Sequence, residues 1–378
     1  MSRRHFVSLA GGSLGLAPCV SRSKLAGGAD IRAEMRWANV PGASITTVQH
    51  LNIQASAFGE RDLAAHLPVT PKTIFEAASM SKPVFSYAVM DLVRRGGLDL
   101  DRPLDAYLSK PYPIDDARGR HITARHVLSH TSGLPNWRDE RSLRLPLAFA
   151  PGTAYRYSGE GFYFLQTVVE AVSGLSLGQF MRTALDGLGM SDSSYVWQTR
   201  YRANSAKPYN SDLQPLSHDT QVWGDQLSAL AAKRGEKLED WKSAQALSAL
   251  QQLHPRQIAV PHNAMPNAAW SLLTTASDYA KFVRALLGQP HHLMLEPAVR
   301  LSKYVWRGLG IALQVDASRR AFFHTGANPG FKAAMFGDLG ARHGIASFAN
   351  SDGGFVFNMH AVEREMGPQP AIFYLEQP

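Results

Sequence analysis

Glu76-Ala77-Ala78-Ser79-Met80-Ser81-Lys82 opens a helical pattern in the first quarter of this 378-residue chain. Ser79 and Lys82 stand three apart, so on a helix both side chains fall on one face. A serine hydroxyl is a weak nucleophile until a base takes its proton. A lysine can be that base when burial and nearby cations lower its pKa toward neutrality. The N-terminal end of the helix adds a positive dipole that favours negative charge developing at Ser79. The same spacing also fits a helix N-cap serine followed by a surface lysine, so these residues alone leave both readings open. Ser81 is a second hydroxyl, but it lies one residue before Lys82 and off its face.

Outward from this stretch, Phe85, Ala88, Val89 and Leu92 recur at helical spacing, which predicts a helix from Ser79 to Arg95 stopped by Gly96-Gly97. Upstream, residues 44–58 alternate and include Ile45, Thr46, Thr47 and Val48, which predicts strands. From there to about residue 300 the pattern is mostly helical with long loops. Leu165, Val168, Val169 and Val172 form one stripe ending at Gly174; Asp278, Phe282 and Leu286 mark another helix. Residues 200–266 are polar and irregular, with a helical piece near Gln226–Leu253, and read as an insertion beside the core. Strands return at Leu309–Val315, Ala321–His324, Lys332–Phe336 and Gly344–Ala349. Strands at both ends with helices between predict an α+β fold. Its antiparallel sheet is built from N- and C-terminal segments flanked by helices, with an inserted mainly helical domain. The boundaries read as an α/β subdomain of residues 30–100 and 300–378 and a helical subdomain of 101–299.

Two further segments carry chemistry. In Pro151-Gly152-Thr153-Ala154-Tyr155-Arg156-Tyr157-Ser158-Gly159, Tyr157 sits in the loop leading into the Leu165 helix. A tyrosine hydroxyl near cations can shuttle a proton to a leaving group; a partly buried, hydrogen-bonded tyrosine is the plainer alternative. Phe322-Phe323-His324-Thr325-Gly326 reads as a strand lining a cleft, followed by the turn Ala327-Asn328-Pro329-Gly330. Gly326 lets a substrate approach the backbone, and an N–H just after it could face an oxyanion.

Ser-x-x-Lys, a loop tyrosine and a His-x-Gly strand, in this order, resemble the class C β-lactamase family and its penicillin-binding, esterase and D-peptidase relatives. Leu98-Asp99-Leu100-Asp101-Arg102-Pro103-Leu104 and Leu128-Ser129-His130-Thr131-Ser132-Gly133-Leu134-Pro135 are similar to further family loops. Gly187-Leu188-Gly189-Met190, Leu273-Thr274-Thr275-Ala276-Ser277-Asp278 and Gly308-Leu309-Gly310 fall in order too, so the resemblance spans roughly residues 40 to 350. It implies that Ser79 forms an acyl-enzyme and that Lys82 and Tyr157 share the proton transfer, with either as the base. It also implies an oxyanion hole of the Ser79 and Ala327 backbone N–H groups, and substrate contacts at Ser158, His324, Thr325 and Gly326. His130 and Thr131 are expected to hold their loop. Two positions depart from the family pattern. Gly159 stands where the family often has an asparagine that contacts the lysine and a substrate amide. His324 stands where dedicated β-lactamases usually have lysine, and an ordinary histidine is largely neutral above pH ~6.5. Both favour an esterase or D-peptidase over a β-lactamase. A non-catalytic envelope protein using the same fold for binding or assembly is the alternative that Gly159 motivates.

Composition bounds the rest. Hydrophobic residues make up 45% and charged residues 19%, an ordinary globular balance. The net charge is +8, and half of that excess sits in residues 1–29, which hold Arg3, Arg4, Arg22 and Lys24 and no acid. No basic stripe interleaved with aromatics points to nucleic acid. The substrate expected is a small molecule or peptide with an acyl group. With one cysteine, Cys19, and no His-Glu-x-x-His spacing, neither a metal nor another cofactor is expected. Ser2-Arg3-Arg4-His5-Phe6-Val7, a weakly apolar stretch to Val20 and the small residues Ala26–Ala29 read as a twin-arginine export signal over residues 1–29. The expected location is therefore the periplasm. Leu16-Ala17-Pro18-Cys19 is similar to a lipoprotein box with Pro18 at a position usually small, so membrane attachment requires lipidation of Cys19.

Overall fold

The computed structural model describes residues 28–371 apart from 140–142, 256–259, 264, 290, 317–318 and 370, so residues 1–27 of the expected export signal, with Cys19, lie outside the described residues. The chain enters through α1 (Gly28–Trp37), a hairpin of β1 (Gly42–Gln49) and β2 (Asn52–Asp62), and the short β3 (Leu67–Pro68). Then come β4 (Phe75–Glu76), α2 (Ser81–Arg94), α3 (Ala124–Leu128), α4 (Gly159–Ser173), α5 (Leu177–Leu188), α6 (Asp219–Lys233), α7 (Ser243–Leu253), β5 (Leu273–Thr274) and α8 (Ala276–Leu287). The C-terminal part holds β6 (Val299–Arg300), β7 (Val305–Arg307), β8 (Ala312–Val315), β9 (Arg320–Asn328), β10 (Phe331–Asp338), β11 (His343–Ala349) and α9 (Gly354–Met366).

Among the described residues, nine strands form one antiparallel sheet in the order β3-β2-β1-β11-β10-β9-β8-β7-β6, and β4 pairs with β5 apart from it. The two chain ends meet where β1 lies beside β11, with Ala43 opposite Ala349. This is the α+β fold with a sheet completed by both termini that the strand pattern implies. Alternation of side chains sends neighbouring strand residues into different cores. Ala43, Ile45, Ala334 and Phe336 pack with Ile31 and Met35 of α1 and Phe357 and Val362 of α9. Val48, Ala333, Met335 and Phe348 pack on the other face, in the core that also holds Val84 and Phe85 of α2 and Val283 of α8. Burying such side chains contributes roughly 1.5–3 kcal/mol each. At Gly344 on β11 an added Cβ would stand 2.6 Å from Val283 Cγ1, so α8 lies directly on the sheet although it falls within residues 101–299.

Three elements differ from expectation. The helical piece near 226–253 is two helices, α6 and α7, separated around Gly235, whose φ of +70° no helix accommodates. Two short strands, β6 and β7, extend the sheet edge beyond the strand expected at 309–315, which itself begins at Ala312. Ser79 lies in a single 3-10 turn, Ala78–Met80, that leads into α2 rather than in α2 itself.

Candidate active site

The turn that carries Ser79 is pinned from several sides. Ala78, a non-glycine residue, has a φ of +48°, a left-handed conformation that persists only when its surroundings hold it. The Ser81 hydroxyl donates to the Ala78 carbonyl at 2.6 Å, and Tyr279 Oη donates to the Met80 carbonyl at 2.8 Å. Tyr195 Oη donates to the Ser81 carbonyl at 2.5 Å. Ser81 Oγ also accepts the Leu272 N–H at 3.0 Å, so this second hydroxyl is committed to structure.

Lys82 is only 2% exposed, and its Nζ donates to Ser79 Oγ at 3.1 Å and to the Ala269 carbonyl at 3.0 Å. The Tyr157 ring centroid lies 4.6 Å from the same nitrogen. One helical turn therefore does bring the alcohol and the amine together, and the loop before α4 brings the tyrosine ring to the amine. His130 supports that loop. Its Nδ1 accepts the Ser158 N–H at 3.1 Å, and its ring stacks on Tyr157 at 4.4 Å between centroids. Burial first, then the positive charges of Arg307 and Lys82 and the nearby His324, hold His130 well below the ordinary histidine range, so it is neutral.

Strand β9 reaches the same place. An added Cβ at Gly326 would stand 2.2 Å from the Ala77 carbonyl oxygen, so the strand backbone lies against the turn that carries Ser79. Asn328 and Phe331 face each other across the turn at 329–330. The alternation of an antiparallel ladder then turns the Ala327 N–H away from β10. On that side β8 ends with Ala312 opposite Phe323, which leaves the edge of β9 open from His324 onward.

Three residues expected to touch substrate occupy buried positions. Ser158 is buried as the N-cap of α4; its hydroxyl accepts the Gly161 N–H at 2.9 Å and donates to the Pro135 carbonyl at 2.7 Å. His324 is 0% exposed, with Nδ1 2.7 Å from the Thr325 carbonyl. It shares its strand face with Phe322, which is part of the core under the helical region. Thr325 is buried and takes the opposite face from Gly326.

Several residues of the site carry little signal in the sequence. Arg307 sits among apolar residues of β7, is 1% exposed, and donates from Nε (3.2 Å) and Nη2 (2.9 Å) to Tyr155 Oη. Trp137 fills the space beside Gly159, where an added Cβ would stand 2.5 Å from Cζ2 of the indole. It is fixed by its neighbours: Asn136 Oδ1 accepts the Gly159 N–H at 3.0 Å, and Arg138 pairs with the buried Glu160. Glu76, inside the stretch that opens the helical pattern, accepts from Asn328 Nδ2 at 2.6 Å and faces His218 Nε2 at 3.3 Å. An acidic residue next to an apolar run was the one available hint of that link.

A nine-stranded antiparallel sheet completed by both chain ends, with a helical region inserted beside Ser79, is the β-lactamase and transpeptidase-like architecture. The chain belongs to the β-lactamase family, whose family model, described as Beta-lactamase, matches residues 29–365. That family of serine hydrolases includes esterases and penicillin-binding proteins. The chain is 32% identical to Esterase EstB of Burkholderia gladioli over 215 residues, 48% of this chain and 53% of the esterase. It is 28% identical to Penicillin-binding protein 4* of Bacillus subtilis over 190 residues, 44% of this chain and 38% of that protein. The aligned stretches thus span about half, or less, of these relatives. Among solved structures, the fold is similar to a D-alanine carboxypeptidase AmpC from Burkholderia cenocepacia (TM-score 0.67, 18% identity, 90% of this chain and 99% of that one). It is similar as well to a class C β-lactamase (TM-score 0.66, 19% identity, 87% of this chain and 92% of that one).

Proposed function

We propose that this protein is a serine hydrolase that forms an acyl-enzyme at Ser79 and hydrolyses an ester or amide. The observation that carries the proposal is Lys82 Nζ 3.1 Å from Ser79 Oγ with the Tyr157 ring 4.6 Å from the same nitrogen. In this mechanism Lys82 and Tyr157 together take the Ser79 proton, and Oγ adds to the substrate carbonyl carbon. The oxygen that becomes negative is held by the Ser79 and Ala327 N–H groups. Collapse breaks the bond to the leaving group, which receives the proton. Water then repeats the sequence to release the acid. No metal or cofactor is needed for these steps.

Esters and D-amino-acid peptides rank ahead of β-lactams. Position 159 has no side chain to read a substrate amide, and Trp137 occupies the space one would need. At the start of the strand motif His324 is buried and offers no exposed cation to a substrate carboxylate. Export through a twin-arginine signal to the periplasm belongs to the same reading, and mass spectrometry of the mature N-terminus tests it along with lipidation at Cys19.

A fluorophosphonate probe tests the chemistry. The expected result is labelling that disappears in Ser79→Ala and persists in Ser81→Ala, with ester turnover faster than nitrocefin turnover. An unlabelled wild-type protein overturns the proposal in favour of a binding protein; nitrocefin turnover faster than any ester or D-peptide reverses the substrate order.

A further inference from the structure

We propose that Arg307 is a positioning residue of the proton-transfer apparatus: its buried guanidinium, anchored by Tyr155, gives Tyr157 a permanent positive neighbour that favours the ionised phenol. This rests on the reading of Ser79, Lys82 and Tyr157 given above.

Among the described residues, two cations lie beside the Tyr157 ring. Lys82 Nζ lies 4.6 Å from its centroid and the Arg307 guanidinium carbon lies 5.8 Å from it. They arrive from different elements, Lys82 from α2 and Arg307 from β7. Among the described residues, the titratable groups of the cluster also include His130, stacked on Tyr157, and Tyr155, which accepts from Arg307 through its hydroxyl. His324 on β9 also acts on His130 electrostatically. After burial, Arg307 is the leading cause of the suppressed protonation of His130, so its field is felt inside this cluster. Lys82 is a cation only until it gives up its proton, and a histidine only at low pH. A guanidinium stays charged at every working pH. Burying a guanidinium is costly, and the use proposed for this one lies beside the Tyr157 ring.

That use is electrostatic. A nearby positive charge favours an ionised phenol over a neutral one. The phenolate of Tyr157 takes the proton that leaves Ser79 Oγ as Oγ bonds to the carbonyl carbon. When the bond to the alcohol breaks, that proton passes to the departing oxygen and the phenolate is restored. Through the cycle Arg307 keeps its charge and exchanges no proton.

The test reads Tyr157 directly, by NMR titration of protein labelled at tyrosine Cζ, with the Tyr157 signal assigned as the one lost in Tyr157→Phe. In Arg307→Gln the ionisation should move upward by about one pH unit, leaving tenfold less phenolate at a given pH. The acid limb of kcat/KM for an ester substrate should move the same way. Arg307→Lys, which keeps the charge, should restore most of both shifts. Tyr155→Phe releases the guanidinium from its anchor and should give a smaller upward shift; it also serves if Arg307→Gln does not fold. An unchanged Tyr157 titration in Arg307→Gln, or in Tyr155→Phe where that variant stands in, overturns the proposal. So does Arg307→Lys behaving like Arg307→Gln, which is the mark of a packing role alone. If the wild-type protein is not labelled at Ser79, the proposed function falls while the titration still decides the role of Arg307.

Discussion

At position 159 an added Cβ would stand within 2.8 Å of three indole carbons of Trp137, so any larger side chain must displace that ring. Trp137 cannot yield easily, because Asn136 and Arg138 on either side of it are tied to the start of α4. Overpacking of this kind costs about 1–3 kcal/mol. Gly159→Asn should therefore lower the thermal midpoint, and adding Trp137→Ala should recover most of the loss. An unchanged melting curve for Gly159→Asn would show that the ring moves freely. At Ser81, removing the hydroxyl leaves the buried Leu272 N–H without its acceptor. Ser81→Ala should lose about 1–3 kcal/mol of stability in denaturant unfolding, the cost of an unmet buried donor, while Ser79 keeps its probe label. Glycine at 159 stands out against the family pattern, whereas Ser81 reads in the sequence only as a second hydroxyl off the Lys82 face, with no sign of its bond to Leu272. That a tryptophan 22 residues before Gly159 fills the space there has no trace in spacing or composition.

Between elements, the Glu76–Asn328 hydrogen bond ties β4, just before Ser79, to the end of β9, just after Ala327. The two N–H groups proposed for the oxyanion hole thus come from segments held together by one buried carboxylate. Asn328→Ala removes a bond to a charged group, which typically costs about 1.5–3 kcal/mol. If that bond holds the Ala327 donor in place, kcat for an ester should fall by about 10- to 100-fold with KM nearly constant, because the donor acts on the negative oxygen of the transition state. A kcat equal to that of the wild type would mean that the close contact of Gly326 with Ala77 suffices. The strands β9, β10 and β11 were legible in their apolar runs. The edge strands β6 and β7 were not, since two or three residues are too few for a period of two to be seen. The break between α6 and α7 was marked by Gly235, but a glycine within a helical pattern does not by itself end a helix.

For the whole molecule, the pH dependence of stability follows from its buried histidines. Burial lowers the pKa of His126, His130 and His292 in the folded chain, most strongly at His130. The unfolded chain therefore takes up more protons near their ordinary pKa, and stability present above about pH 6.5 is lost as the pH falls below it. Glu170, raised above the usual carboxylate value chiefly by burial, acts in the opposite sense, from the ordinary carboxylate pKa upward. The thermal midpoint should fall steadily from about pH 6.5 to 5, and part of that slope should vanish in His130→Gln. A midpoint that stays flat across this range would mean that these rings take up protons without strain. The sequence by itself determined the fold class, and its resemblance to a known family singled out the pair at Ser79 and Lys82 that spacing alone left open. Hydrophobic periodicity and residues three apart are local properties, and a helix or strand expresses them wherever it forms. Only the tertiary structure decided that Ser158 caps a helix, that His324 is enclosed, and that Arg307, Trp137 and Asn328 join the site. Those facts depend on side chains brought together across the sheet and the helical region from distant parts of the chain, and no local pattern encodes such a meeting.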